Sequence, residues 1–389
     1  VHGRGGVAPQ HRAQTIARVL LTGGGTGGHV YPAIAIAEAL RERDPATEVL
    51  FVGTRGGLES SIVPKAGLPV AYVASRPLQR SLSLDALRTL GSNAVGVAQA
   101  LGVVGRFGPD CVVATGGYVT FPVVLAARML RTFRRGRPRI ALLEPNAVAG
   151  LTNRLVEPFA DETWLAHARA TAGGGRAFVT GTPVRASIAR QLDRVAARAA
   201  LGVDPARTTI VVMGGSQGAR RINDAVAEMI AAGPLPDDWQ IVQFTGERDA
   251  ERARAAAAGT PAVFVRAYAD DPAPAYWAAD VMVARAGAST LAELAATGTP
   301  AILVPYPHAT DDHQARNAEA VVAAGAARIV ADDVLTGERL RAELCEALAP
   351  AALAGSRAAA ARQPGGDARA RIVERIVALL GAGKAQVDS

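Results

Sequence analysis

The chain reads as an α/β protein made of two doubly wound domains facing a central cleft. Three observations lead there. Short apolar runs alternate with helical segments through the first half, as in a parallel sheet covered on both faces. The alternation starts again after Gly181-Thr182-Pro183-Val184-Arg185, a stretch of hinge composition. Each half also has glycine turns where a strand passes into a helix, and ligands in such sheets sit beyond the carboxyl ends of the strands. With 389 residues there is enough chain for two separate cores.

In the first half, Val19-Leu20-Leu21 leads into Gly23-Gly24-Gly25-Thr26-Gly27-Gly28-His29-Val30-Tyr31-Pro32. A helix is expected over 32–43, with Pro32 in its first turn, where a missing N–H costs nothing. Glycines let backbone N–H groups approach an oxygen-rich ligand, and a helix N-terminus adds about half a positive charge. The stretch therefore reads as a phosphate or sugar cradle with the His29 imidazole at its lip. Gly23, Gly25 and Gly28 also fit the GxGxxG pattern of dinucleotide sites. Such a site wants an acid at the end of the second strand. Here that strand ends in Gly53-Thr54-Arg55, while Asp44 and Glu48 precede it. The sequence argues against NAD.

Further strands are expected over 49–52, 70–73, 111–115, 140–143 and 178–180, with helices over 84–106, 122–130 and 150–156. A third glycine turn, Gly116-Gly117-Tyr118-Val119, falls in this half and suggests a second phosphate-bearing substrate. In the second half, strands are expected over 209–213, 241–244, 263–265, 281–284 and 301–304. Gly214-Gly215-Ser216-Gln217-Gly218-Ala219 follows the first of these, before a helix over 220–232, and offers N–H groups and the Ser216 hydroxyl to a diphosphate. Gly287-Ala288-Ser289-Thr290 repeats the device ahead of a helix over 291–297. Two helix N-termini in one domain suit a nucleotide diphosphate; the alternative is a pair of tight turns with no ligand. Glu293, one turn in, can accept from ribose hydroxyls or simply face solvent. Asp311, Asp312 and His313 invite a metal reading, but consecutive residues rarely converge on one ion; a loop touching sugar hydroxyls through His313 and Gln314 fits better. Residues 351–363 are an alanine-rich run of little information, and a last helix is expected over 367–380.

Composition narrows the partners. Hydrophobic residues make up 49% and charged residues 20%, as in a globular protein. No window approaches the ~20 apolar residues of a spanning helix. Cys111 and Cys345 form neither a disulfide framework nor a zinc motif, which suits a reducing cytoplasm. Residues 1–17 lack an apolar core and are expected to be a disordered leader. The net charge of +7 calls for an acidic partner. Aromatic residues are only 4% and no base-stacking motif is present, so nucleic acid is not expected. The segment Arg128-Met129-Leu130-Arg131-Thr132-Phe133-Arg134-Arg135-Gly136-Arg137-Pro138-Arg139 interleaves arginines with apolar residues and contains no acid. It can rest on an anionic membrane, at about 1 kcal/mol per well-placed cation, or be a solvated loop. Arg76, Pro77, Leu78, Arg80, Leu82 and Leu84 can extend that patch.

Taken together, these motifs resemble the MurG family, bacterial glycosyltransferases that add N-acetylglucosamine to undecaprenyl-pyrophosphoryl-MurNAc-pentapeptide, converting lipid I to lipid II. The resemblance runs from about residue 18 to residue 380. It rests on Gly24 to His29, Gly116 to Val119, Gly214 to Ala219, Gly287 to Glu293, and Asp312-His313-Gln314 with Asn317. It implies a GT-B fold with an acceptor- and membrane-facing domain over 18–182 and a UDP-GlcNAc domain over 183–363. The segment 364–389 would form a helix packed back on the first domain. It implies no cofactor, no bound metal, and peripheral attachment to the cytoplasmic face of the cell membrane. By motif, Thr26, Gly27 and Gly28 would border the donor sugar and the acceptor diphosphate, and Asn146 and Gln314 would touch the GlcNAc. Arg185 and Ser216 would serve the UDP diphosphate, the Ala269 backbone the uracil, and Ala288, Ser289, Thr290, Leu291, Ala292 and Glu293 the diphosphate and ribose. The family commonly has His-Glu-Gln-Asn where this chain has Leu143-Glu144-Pro145-Asn146, so any role of that histidine is absent here.

The reaction implied is an inverting transfer of GlcNAc from UDP-GlcNAc to the C4 hydroxyl of MurNAc. A general base should titrate near the working pH. His29 is the first candidate, with a structural or diphosphate-binding role as its alternative, and Glu144 is the second. Another GT-B enzyme, such as a lipid glycosyltransferase or a UDP-GlcNAc 2-epimerase, shares much of the pattern. An epimerase has no use for the arginine-rich segment. A non-catalytic UDP-sugar-binding protein would keep its binding when His29 is replaced and have no turnover to lose.

Overall fold

A computed structural model describes residues 18–77, 84–134, 136–166, 176–215, 218–309, 312–363 and 365–385. The expected leader, Ser216 and Gln217, Asp311, Arg135 of the arginine-rich segment, and Leu78, Arg80 and Leu82 of the proposed patch lie outside the described residues.

The first domain runs β1 (Arg18–Thr22), α1 (Gly27–Arg43), β2 (Glu48–Gly53), α2 (Glu59–Lys65), β3 (Val70–Tyr72) and α3 (Leu84–Phe107). It continues through β4 (Cys111–Ala114), α4 (Thr120–Arg131), β5 (Arg139–Glu144), α5 (Leu151–Val156), β6 (Glu162–Leu165) and β7 (Arg176–Val179). The second begins with α6 (Ala186–Ala189), α7 (Arg194–Ala200), β8 (Thr208–Met213), α8 (Arg220–Ala231), β9 (Trp239–Phe244) and α9 (Ala250–Ala256). It proceeds through β10 (Val263–Arg266), α10 (Ala273–Ala278), β11 (Val281–Ala284), α11 (Ala288–Thr297), β12 (Ala301–Leu303), α12 (His313–Ala323) and β13 (Ala327–Ile329). The chain ends in α13 (Gly337–Leu348), α14 (Pro350–Ala361) and α15 (Ala368–Ala385).

Both sheets are parallel. Their strand orders are β3-β2-β1-β4-β5-β6-β7 and β10-β9-β8-β11-β12-β13. In each, the order reverses beside the first strand, between β1 and β4 and between β8 and β11. Crevices open at such switch points, and the four glycine turns leave these four strands. Their buried runs, Val19-Leu20-Leu21 and Cys111-Val112-Val113-Ala114 among them, are apolar on both faces because helices cover each side of the sheet.

Several expectations need correction. The helix after β1 starts at Gly27, five residues before Pro32, so Pro32 lies in its second turn and the glycines themselves form its N-terminal turn. Likewise α11 starts at Ala288 rather than at residue 291. The strand β6 escapes an apolar-run criterion because Glu-Thr-Trp-Leu is half polar. It is buried because Glu162 accepts from Trp164 Nε1 at 3.0 Å and from Arg375 Nε at 3.1 Å. The short β13 carries Arg328, which pairs with Glu343 at 2.5 Å. The alanine-rich run is a helix, α14, that buries Ala359 and Ala360. The last helix, α15, sends Ile372, Val373, Ile376 and Leu379 into the core of the first domain, and Arg369 reaches Glu38 and Glu42 of α1 at 3.0 and 2.7 Å.

Candidate active site

The cleft between the sheets has a cavity volume of about 520 Å³, ample for a nucleotide sugar. On its first wall the chain turns from β1 into α1. Thr26 is the N-cap, and its carbonyl accepts from His29 N and Val30 N at 3.1 and 3.3 Å. Gly24 N donates to Gly116 O at 3.2 Å, so the turns after β1 and β4 are tied together. The His29 Nδ1 lies 3.1 Å from Gly24 O and 3.3 Å from Thr26 Oγ1. A carbonyl can only accept, which puts the proton on Nδ1 and leaves the Nε2 lone pair free. Gly116, at φ +106°, makes room for this ring: a Cβ there would lie 2.7 Å from His29 Cδ2 and 3.0 Å from Nε2. Burial lowers the His29 pKa, reinforced by His313 and opposed by the Gly24 carbonyl and the Glu59 carboxylate. Burial thus favours the neutral imidazole.

Glu144 does not share this position. It is buried at the end of β5, and four donors occupy its two oxygens. They are Asn146 N at 2.9 Å, Asn146 Nδ2 at 3.1 Å, Gly150 N at 3.2 Å and Asn153 Nδ2 at 2.8 Å. Burial raises its pKa while those four bonds hold it down. These bonds shape the loop 145–150, and Glu144 is not among the residues that line the cleft. Asn146 borders the cleft, yet its Oδ1 accepts from Asn317 Nδ2 at 3.1 Å.

The second wall is built by α11, the loop after β10 and the start of α12. Ser289 Oγ lies 3.5 Å from Gly27 O, so the N-terminal turns of α1 and α11 meet in the cleft. Thr26, Gly27, Gly28, Ala269, Ala288, Ser289, Thr290 and Gln314 all line it. Leu291 and Ala292 do not. Their side chains pack into the core and a smaller void behind α11, because successive residues on a helix point to different faces. Arg185 and Glu293, expected to serve diphosphate and ribose separately, face each other at 3.4 Å, and the guanidinium stacks 4.4 Å over the Tyr31 ring. The Tyr276 hydroxyl donates to Glu293 Oε2 at 2.5 Å. Burial raises the Glu293 pKa, with Arg185 and Tyr276 opposing it. The aromatic residues Tyr31, Tyr268 and Tyr276 were not expected here. Tyr31 stood inside the quoted glycine stretch, and only the fold shows that it faces Arg185.

The arginine-rich segment is less basic in the fold than in the sequence. Arg131 and Arg139 pair with Asp161 at 2.9 and 3.4 Å, and Arg137 pairs with Asp110. Phe133 is 85% exposed, and Met129 and, on α3, Leu90 are also exposed. Among the described residues, no group of three His, Cys, Asp or Glu side chains could hold a metal, and no helix is long and apolar enough to cross a membrane.

The glycosyltransferase family 28 N-terminal domain matches residues 19–164, and the family 28 C-terminal domain matches residues 209–376. The UDP-N-acetylglucosamine–N-acetylmuramyl-(pentapeptide) pyrophosphoryl-undecaprenol N-acetylglucosamine transferase of Symbiobacterium thermophilum is 40% identical over 367 residues, 93% of this chain and 96% of that one. Its counterpart in Moorella thermoacetica is 42% identical over 333 residues, 83% of this chain and 88% of that one. The crystal structure of Acinetobacter baumannii MurG is 26% identical, with a TM-score of 0.73 over 92% of this chain and 99% of that one.

Proposed function

This chain belongs to glycosyltransferase family 28 and, within it, to the MurG transferases, and from that premise we propose how its own residues carry the reaction. The enzyme transfers GlcNAc from UDP-GlcNAc to the undecaprenyl-pyrophosphate-linked MurNAc-pentapeptide, lipid I to lipid II. The nucleotide sugar lies along α11, with Glu293 accepting from the ribose, Ala269 beside the uracil, and Gln314 near the sugar. The acceptor lies against the turns after β1 and β4. Nε2 of His29 takes the proton of the MurNAc C4 hydroxyl as its oxygen attacks the anomeric carbon. The bond from that carbon to the diphosphate oxygen breaks, and UDP leaves. Its new charge falls between the N-terminal turns of α1 and α11 and beside Arg185, donors already aimed into the cleft.

The observation that carries this reading is the contact between Ser289 and Gly27, which brings both helix N-termini and the imidazole to one point. Phe133 and Met129, with exposed Arg128 and Arg134 beside them in the chain, form the face we assign to an anionic membrane surface on the cytoplasmic side. The test is transfer of labelled GlcNAc to a short-chain lipid I analogue with EDTA present. Product formation that disappears in His29→Ala, with UDP-GlcNAc still bound, supports the assignment. Bound donor without product in the unaltered enzyme would remove the acceptor half.

A further inference from the structure

Glu59, at the start of α2, is wholly buried, and no motif drew attention to it. Its Oε1 accepts from Thr54 N at 2.9 Å and from the Thr54 hydroxyl at 2.7 Å. Its Oε2 lies 3.3 Å from Gly25 N, inside the turn that carries the acceptor cradle. Among the described residues no cation pairs with it. Gly57 allows the approach, since a Cβ there would sit 2.2 Å from Oε2.

The hydroxyl of Thr54 also lies 3.2 Å from the Tyr118 hydroxyl. Thr54 has one proton, and the carboxylate, which can only accept, takes it. The Tyr118 O–H must therefore donate to Thr54 Oγ1. The result is a directed chain, Tyr118 to Thr54 to Glu59, that leaves the Tyr118 oxygen only lone pairs to offer elsewhere. The Tyr118 ring in turn covers Gly25, whose added Cβ would meet Cε1 at 2.9 Å. One carboxylate thus ties the loops after β1, β2 and β4, three neighbouring strands of the first sheet.

We propose that Glu59 is the positioning residue of the acceptor half of the site, holding these three loops as one cradle so that the acceptor hydroxyl meets His29. The inference rests on the assignment of the acceptor to the first domain. It has an electrostatic consequence as well. Glu59 from α2 favours the charged imidazole, while His313 from α12 disfavours it; Glu144, on β5, has its oxygens filled by four donors. The negative charge beneath the cradle therefore supports proton uptake by His29 as the C4 hydroxyl is consumed.

The experiment compares Glu59→Gln and Thr54→Val in the full chain. Its readouts are GlcNAc transfer between pH 5 and 9, calorimetric UDP-GlcNAc binding and thermal melting. An amide has one accepting oxygen and an NH2 donor in place of the second, so Glu59→Gln leaves a donor of the cradle unpaired. The KM for the lipid I analogue should rise by about tenfold, with the UDP-GlcNAc Kd nearly unchanged. The acidic limb of kcat should move to lower pH. Thr54→Val keeps the charge but cuts the chain to Tyr118, so the acceptor KM should rise while the acidic limb stays in place. A lower melting temperature in both variants, without a split between acceptor and donor or a moved limb, would make Glu59 a structural acid only. Weakened donor binding with the acceptor KM untouched would instead overturn the placement of the acceptor, and this inference with it.

Discussion

Asn317 of α12 holds Asn146 from across the cleft. Its Oδ1 accepts from Ala147 N at 2.8 Å, and its Nδ2 donates to Asn146 Oδ1 at 3.1 Å. Asn146 in turn donates to Glu144 Oε1. A residue expected to touch the donor sugar is therefore set by the opposite domain, and α12 also carries His313 and Gln314 on the cleft wall. The two domains meet through a fully buried amide.

Replacing Asn317 by Ala leaves a backbone N–H and a side-chain oxygen unpaired at once. A loss of about 1–3 kcal/mol is expected, read as a lower denaturation midpoint. Turnover should fall more than UDP affinity, because the loop 145–150 loses its anchor while α11 keeps its own. Equal donor and acceptor defects would contradict this.

His29→Ala should lower kcat by about a hundredfold to ten-thousandfold while UDP-GlcNAc still binds. Burial lowers the pKa of the imidazole, so the neutral base persists below the ordinary histidine range. The acidic limb of kcat should then lie under about pH 6.5, and its disappearance in His29→Ala would identify the group. A limb that stays in place in the variant assigns it to another residue.

Only an ionised Glu293 accepts at both oxygens without a proton of its own, the state in which the proposed ribose contact is strongest, and burial raises its pKa. UDP affinity should weaken as pH falls from 8 toward 5. Tyr276→Phe removes a bond that favours the carboxylate, so the weakening should begin at higher pH. Calorimetric titrations at several pH values measure this; superimposable profiles for the two proteins would show that Glu293 does not titrate with binding.

Arg131 and Phe133 should separate stability from membrane attachment. Phe133→Ser removes exposed apolar surface and should reduce co-sedimentation with anionic vesicles, leaving the melting temperature unchanged. Arg131→Ala breaks the pair with Asp161 and should lower the melting temperature. The opposite assignment of effects would remove this face as the docking surface.

Arg375→Ala strips the partner from Glu162, which is only 2% exposed. Leaving a buried carboxylate unpaired costs about 3–5 kcal/mol, so the first domain should melt early. A double variant that also carries Glu162→Gln should recover part of the loss.

Much of the fold was legible because its signals are local. Apolar runs such as Val49 to Val52, glycines at the ends of β1, β4 and β8, and the break between the two sheets after Thr180 declare themselves within a few residues. The half-polar β6 did not, since its burial depends on Arg375, 213 residues away in the chain, and β13 is only three residues long. Among the residues that line the cleft, Thr26 to His29 and Ala288 to Thr290 were legible because a strand, a turn and a helix N-terminus follow one another in sequence.

By itself the sequence determined two doubly wound domains, the positions of their glycine turns and the family resemblance. These follow from backbone geometry and side-chain period, properties of neighbouring residues. Only the tertiary structure decided which side chains are engaged. Arg185 and Glu293 are 108 residues apart, Asn146 and Asn317 are 171 apart, and Gly25 and Glu59 are 34 apart. Packing brings each pair together, and whether a buried polar atom is satisfied depends on the group that packing places against it. For that reason Glu144 is engaged by four donors of its own loop, and Glu59 stands beneath the turn at Gly25 without belonging to any motif.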